Sequence, residues 1–285
     1  MSLQPRPGHW LLRCPLCKSG FTTAAGALIC ESGHSFDLAR EGYVNLLSGR
    51  RRSPAAGGDS PAQLRPRAAF LDAGHLDAVA AMVVAHAKDV SCPSRHVLDA
   101  GSGTGHHLAR IEATIAGPVV CLGLDISKDA ARQAARRWGG LAFAVTDLWA
   151  DWPVHDAATD LVVSIFAPKN FPEMTRVLRP GGWLAVAYPG PDHLIELRER
   201  FGLLRQHEDI GGRYAAMAAR FVGPTSIRRF QHCAVLDPAT TRAAILMGPN
   251  ARHVDSAKLD VGSKPLAVTL DINVLFAQKL TLPRG

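Results

Sequence analysis

The feature that most constrains the chain is a glycine-rich turn, Gly101-Ser102-Gly103-Thr104-Gly105. It lies between an apolar run, His96-Val97-Leu98-Asp99-Ala100, and a segment of helical spacing from His106 to Ile115. Glycine reaches backbone conformations closed to other residues and lets a ligand approach the main chain, so strand, turn and helix together offer a binding place at a helix N-terminus. The spacing Asp-x-Gly-x-Gly-x-Gly departs from the dinucleotide fingerprint Gly-x-Gly-x-x-Gly, because its third glycine comes one residue early. A second apolar run, Val119 to Leu124, ends in Asp125, 20 residues beyond Gly105. A carboxylate there can accept hydrogen bonds from both hydroxyls of a ribose. A plain tight turn and a nucleotide oxidoreductase remain the competing readings of the glycines.

Further strands are expected at Leu141 to Val145, Asp160 to Phe166 and Trp183 to Tyr188, with Thr225 to Leu236 and Leu266 to Phe276 supplying the last two. Helical spacing runs from Phe70 to about Asp89, and a short helix is expected around Thr240 to Met247. Alternating strands and helices predict an α/β fold with a parallel, doubly wound sheet, whose ligands bind beyond the carboxyl ends of the strands.

The N-terminal segment carries a different pattern. Cys14, Cys17, Cys30 and His34 give Cys-x2-Cys-x12-Cys-x3-His, with Pro15, Gly20, Gly26 and Gly33 among them. Two such pairs can close a tetrahedron around Zn²⁺, and four protein ligands leave no open position, so the metal is expected to be structural. A segment this short lacks a core of its own, a shortage that metal binding remedies. The competing reading is a set of incidental buried thiols beside an ordinary histidine. Cys92, Cys121 and Cys233 show no grouping.

The chain of 285 residues has a formal charge of +7, and its first 70 residues hold nine Lys or Arg against four acids. That concentration predicts a phosphate-facing surface, with a solvated basic tail as the plain alternative. No stretch approaches the roughly 20 apolar residues of a membrane span, and no apolar leader is evident. A cytoplasmic location, with reduced cysteines and no membrane partner, is the expectation. Residues 1–48 are expected to form a zinc-binding lobe facing phosphates, 49–69 a basic linker and 70–285 the α/β domain.

The glycine turn with its paired acid, and Arg179-Pro180-Gly181-Gly182 before the Trp183 strand, resemble the class I methyltransferases. The resemblance implies a Rossmann-like, seven-stranded sheet and S-adenosylmethionine as the methyl donor. It further implies backbone contacts at Gly101, Gly103 and Thr104, support from Asp99 and ribose recognition by Asp125. Asp147, past the next strand, is then placed to accept from the adenine amine, or serves as a loop cap.

A narrower resemblance covers almost the whole chain. It rests on the zinc pattern, Phe36-Asp37, Glu41 to Leu47, Gly58-Asp59-Ser60, Arg67, Phe70 to His75, Ala167-Pro168 and Pro189 to Leu194. These resemble the bacterial large-subunit (23S) rRNA guanine-N1-methyltransferases, and Ala167 to Phe171 looks like the branch that includes tylosin-type macrolide-resistance enzymes. In that family His193 and the residue at Leu76 approach the cofactor, and the methyl acceptor lies beside the loop Phe166 to Glu173. Phe166, Lys169 and Asn170 are the candidate catalytic residues; Phe166 could stack on a base or belong to the core. Asp160, Lys169, Asn170, His75 and His193 are candidates by position for the proton acceptor. The resemblance also implies a homodimer and large-subunit rRNA as partner. A small-molecule methyltransferase with a zinc appendage, and a nonenzymatic zinc-dependent RNA-binding protein, are the rival functions.

Overall fold

A computed structural model describes residues 4–24, 26–47, 58–89, 95–204 and 209–281. After a 3-10 turn, Pro7–Leu11, come β1 (Phe21–Ala24), β2 (Ala27–Cys30), β3 (Ser35–Asp37) and β4 (Tyr43–Asn45). Then follow α1 (Pro61–Asp72), α2 (Asp77–Asp89), β5 (His96–Ala100), α3 (His106–Thr114), β6 (Val120–Asp125), α4 (Lys128–Arg137) and β7 (Ala142–Val145). The remainder is β8 (Thr159–Ile165), α5 (Phe171–Val177), β9 (Leu178–Pro189), α6 (Ile195–Phe201), α7 (Ile210–Phe221), β10 (Thr225–Leu236), α8 (Pro238–Leu246) and β11 (Leu266–Gln278).

The large sheet has the order β10-β11-β9-β8-β5-β6-β7-β4. From β9 to β4 its neighbours run parallel, whereas β11 pairs antiparallel with both β9 and β10. Alternate residues of one strand enter different cores. Val97, Phe143 and Ala185 pack on one face, and Leu98, Ala142 and Leu184 on the other. Burial on both faces is why these strands read as unbroken apolar runs, and why helices must cover both sides. Strand order reverses between β5 and β8, which opens a crevice above their carboxyl ends.

Three expectations are corrected. The sheet has eight strands rather than seven, because β4, from the supposed N-terminal lobe, pairs in parallel with β7 through Tyr43–Phe143, Val44–Ala144 and Asn45–Val145. The boundary at residue 48 therefore does not separate two packing units. Within the span expected to be linker, α1 begins at Pro61: Ser60 N–H donates to Gln63 Oε1 at 3.1 Å, a reciprocal cap that the Pro- and Arg-rich composition conceals. The helix expected over Phe70 to Asp89 is two helices, broken at Gly74, whose φ is +79°. Among the described residues no single helix is long and apolar enough to cross a membrane.

The small sheet β1-β2-β3 docks against the large one. Gly8 lies so close that an added Cβ would stand 2.1 Å from Cys121 O and 2.7 Å from Ala142 Cβ. Arg6 threads past Gly42 and donates to Leu141 O (2.6 Å), Glu41 O (2.6 Å) and Ala135 O (2.9 Å). Arg13 pairs with Asp151 and Asp156 at 3.0 and 2.9 Å, Lys18 with Asp151, and Arg67 with Asp59 at 2.6 Å. Four of the basic residues credited to a phosphate-facing surface are thus engaged within the chain. Arg40 and Arg65 are exposed, and Arg50, Arg51 and Arg52 lie outside the described residues.

Candidate functional site

Cys14, Cys17, Cys30 and His34 converge, with all four ligand atoms within 4.8 Å of one another. Two tight turns bring this about. Lys18 N–H donates to Cys14 O at 2.9 Å with Lys18 at φ +67°, and Gly33 N–H donates to Cys30 O at 2.9 Å with Gly33 at φ +78°. The separations are 3.5 Å for Cys17 Sγ to Cys30 Sγ, 3.3 Å for Cys30 Sγ to His34 Nδ1 and 3.6 Å for Cys14 Sγ to His34 Nδ1. A tetrahedral zinc with Zn–S bonds of about 2.3 Å needs ligand atoms about 3.5 to 3.8 Å apart, so the set fits the ion. The Cys17 thiol is held down to about 5, first by its hydrogen bonds with Ser19 and Ser32, which favours the thiolate a metal requires.

At the switch point the glycine turn folds over the end of β6. Gly101 and Ser102 donate their N–H groups to Leu124 O, at 2.8 and 3.0 Å. Asp125 Oδ2 accepts from Gly103 N–H and its Oδ1 from Ser127 N–H, both at 2.8 Å. Each carboxylate oxygen keeps a lone pair for a further donor. Gly103, at φ +52°, meets nothing within 4 Å where a Cβ would stand, while a Cβ on Gly101 would strike that of Ala167 at 2.1 Å. The first glycine therefore lets two loops meet across the switch point; the second leaves open space.

That space is a cavity of about 140 Å³ lined by Gly101, Gly103, Asp125, Asp147, Trp149 and Phe166, with Asp59 and Arg67 on the opposite rim. Beneath it Asp99 is 2% exposed, and its Oδ1 has no hydrogen-bond partner among the described residues. Burial first, then the negative charge of Asp125, pushes the Asp99 carboxyl up to about 7, against the pull of Lys169. An open glycine cradle, a carboxylate with spare acceptors and a half-exposed indole at Trp149 fit S-adenosylmethionine.

The predicted residues do not all gather here. Leu76 is packed in the apolar core at 2% exposure, and Thr104 is buried with its carbonyl accepting from Trp138 Nε1 at 3.0 Å. Asp147 Oδ1 accepts from Trp149 N–H at 2.9 Å and so caps the loop that forms the cavity wall. Asp59 and Arg67 enter the sequence reading through the charge balance and the resemblance; nothing in their spacing announces that they reach the cavity.

Across the crevice, Phe166 ends β8 at φ +53°, a left-handed conformation costly for an aromatic residue, and its N–H donates to Ala187 O at 3.2 Å. Its ring lies 6.1 Å from that of His193 and tilted by 22°. His193 Nδ1 accepts from Asp271 N–H at 3.3 Å. Burial holds the imidazole down to about 4, with Asp271 opposing, so His193 is neutral near pH 7 with its proton on Nε2. Asp271 is fully buried and grips Arg229 Nε and Nη2 at 2.7 and 2.8 Å, while Oδ2 accepts from Asp192 N–H at 3.0 Å.

Lys169 points its amine at Ala167 O and lies 5.6 Å from the Tyr214 ring. Burial lowers the amine to about 7, with Asp99 resisting. Asn170 is committed to the local fold: Oδ1 accepts from Glu173 N–H at the start of α5, and Nδ2 donates to Leu148 O at 3.0 Å. Asp160 is corrected as a candidate proton acceptor. It sits at the opposite end of β8, accepting from His96 N–H (2.9 Å) and Arg179 (2.7 Å), about 20 Å of strand away from Phe166.

Residues 97–182 match the model described as "Methyltransferase domain", and residues 12–53 match the zinc ribbon described as "RlmA, N-terminal". The fold is that of the solved YcgJ protein from Bacillus subtilis, at a TM-score of 0.50 and 16% identity over 72% of this chain and 99% of that one. Fold and crevice thus define a methyltransferase of the Rossmann-like class. The 23S rRNA (guanine(748)-N(1))-methyltransferase of Streptomyces fradiae is 38% identical, covering 87% of this chain and 88% of its own length. Proteins of Micromonospora griseorubida (39%, over 92% of this chain and 95% of the relative) and Bacillus subtilis (33%, over 94% and 97%) carry the name 23S rRNA (guanine-N(1)-)-methyltransferase. The chain belongs to this 23S rRNA (guanine-N1)-methyltransferase family. Because the likeness spans ribbon and core together, a small-molecule enzyme with an unrelated appendage and a nonenzymatic RNA binder are both disfavoured.

Proposed function

We propose that this protein transfers the methyl group of S-adenosylmethionine to N1 of a guanine in 23S rRNA. The observation that carries the reading is the full-length family relationship, joined to a cavity at the switch point lined by Gly101, Gly103 and Asp125. When bound, the cofactor supplies an electrophilic methyl carbon. The two free lone pairs of Asp125 accept from the ribose hydroxyls, and the open face of Gly103 admits the amino-acid end. Asp147 and Trp149 border the adenine.

Guanine N1 carries a proton and is hidden in a base pair, so the target must be unpaired or extruded. Phe166, held in its left-handed turn, offers a ring for the base to stack on, and neutral His193 offers Nε2–H as a donor. Lys169, neutral above about pH 7, is placed as acceptor of the N1 proton, and Asn170 positions the loop that carries it.

The reading takes the zinc ribbon as the RNA-facing part of the molecule, stiffened by structural zinc, and the large sheet with its crevice as the methyl-transfer core. It places the protein in the cytoplasm, apart from membranes, as a homodimer whose two ribbons border one rRNA cleft. Resistance to tylosin-type macrolides is the phenotype it implies. The test is reverse transcription across 23S rRNA from cells with and without the gene. A gene-dependent stop at one guanine, shown by mass spectrometry to be N1-methylguanine, is expected. Identical rRNA in both strains overturns the reading.

A further inference from the structure

A second, larger cavity of about 700 Å³ opens beside the acceptor loop, between α6, α7 and the ends of β9, β10 and β11. Its walls are largely apolar, from Tyr188, Ile195, Ile210 and Ile227, with Arg198, Glu199 and Asp209 supplying charge; Asp209 Oδ1 is engaged by Gly212 N–H at the start of α7. It adjoins the cofactor crevice through one structure: Phe166 borders the crevice and faces His193, and His193 belongs to the same loop as Pro189 and Pro191 of the larger cavity.

We propose that this cavity receives the extruded target guanine, with Glu199 recognising its exocyclic amine. The inference rests on the methyl-transfer function proposed above. Three observations point to a purine. The volume and apolar walls suit a flat aromatic ligand. Arg198 Nη2 is already bonded to Pro191 O, while its Nε is buried without a partner among the described residues. A buried, unpaired donor calls for an acceptor, which the O6 or N7 of guanine supplies. The third observation is the carboxylate of Glu199, one residue on. Guanine presents an N2 amine beside N1, and a carboxylate accepts from it; adenine carries only a C–H at that carbon. With its amine on Glu199 and its O6 or N7 toward Arg198, the base can stack on Phe166 and keeps N1, which lies between these groups on its edge, without a protein partner and open to the methyl group.

The test uses full-length protein and a synthetic rRNA hairpin containing the mapped nucleotide, as guanosine or as inosine, which lacks only the N2 amine. Wild type is expected to methylate inosine about tenfold more slowly in kcat/KM, the size of one charge-assisted hydrogen bond. Glu199→Ala, on an exposed stretch of α6, should be equally slow on both. Ile227→Trp, at a half-exposed residue of the cavity wall, should raise KM for either hairpin while thermal melting and S-adenosylmethionine affinity stay at wild-type values. A guanosine preference preserved in Glu199→Ala, or an Ile227→Trp protein with unchanged KM, overturns the pocket. If wild type forms no N1-methylguanine at all, the functional reading falls and the pocket assignment falls with it.

Discussion

On the side of the crevice bounded by β5, β6 and β7, the groups that can grip a ligand are main chain and carboxylate, the bare backbone of Gly101 and Gly103 and Asp125 held by two N–H donors, with the Trp149 indole alongside. On the side bounded by β8, β9 and β11 they are rings and long side chains, each steadied by another side chain or a loop. Phe166 lies against His193, His193 is fixed from Asp271, and Asp271 is anchored by Arg229. A site built from backbone is fixed once the turn forms, whereas one built from side chains depends on partners far along the chain. The first arrangement suits a ligand common to many reactions; the second can be altered piece by piece to suit one acceptor.

The sharpest way to break this contrast is Asp125→Ala. Removing an acceptor of charge-assisted hydrogen bonds, worth about 1.5 to 3 kcal/mol each, should weaken S-adenosylmethionine binding roughly 100-fold by calorimetry. A loss below tenfold would mean the backbone alone holds the donor. Lys169→Met addresses the other side. As general bases contribute about 10²-fold or more, single-turnover transfer should slow by about that factor with cofactor affinity unchanged. The pH profile carries the sign. Burial lowers this amine to about 7, so it is protonated and inactive as a base below that pH and neutral above it. Wild-type transfer should therefore rise as pH climbs through about 7, and the variant should lose that rise. The smallest effect is expected from Asp271→Asn, which strips the charge from the Arg229 pair while keeping its shape. A drop of about tenfold in kcat/KM for rRNA, from a His193 loop no longer held in register, should appear beside an unchanged cofactor affinity. An equal fall in cofactor affinity would show that the two sides are one rigid unit and not two.

The same contrast decides what the sequence discloses. Gly101 and Gly103 are legible because their spacing marks a tight turn whose positive φ values favour glycine, and the knuckles at Cys14–Cys17 and Cys30–His34 because ligand chemistry fixes their intervals. Asp59 and Arg67 reach the rim only because α1, starting at Ser60 and Pro61, folds back over Ser127, whose hydroxyl donates to Asp59 O. That fold-back is invisible in a stretch whose composition signals a linker. Lys169 and Asn170 stand side by side in sequence, yet one turns its amine onto Ala167 O and the other is spent on capping α5, a division that only packing decides. The cavity between α6 and α7 has no local pattern at all, since its walls come from five separate elements.

The short strand β4 ties distant events together. Asn45 is in register with Val145, and the Leu46 amide reaches the carbonyl of that same Val145, two positions before Asp147. The metal ribbon and the wall behind the nucleoside share one hydrogen-bonded edge, so loosening the first should fray the second. Extracting zinc with a chelator would then blunt donor binding as well as RNA capture, and a protein shorn of its first 48 residues would expose a raw strand rather than yield an intact catalytic half.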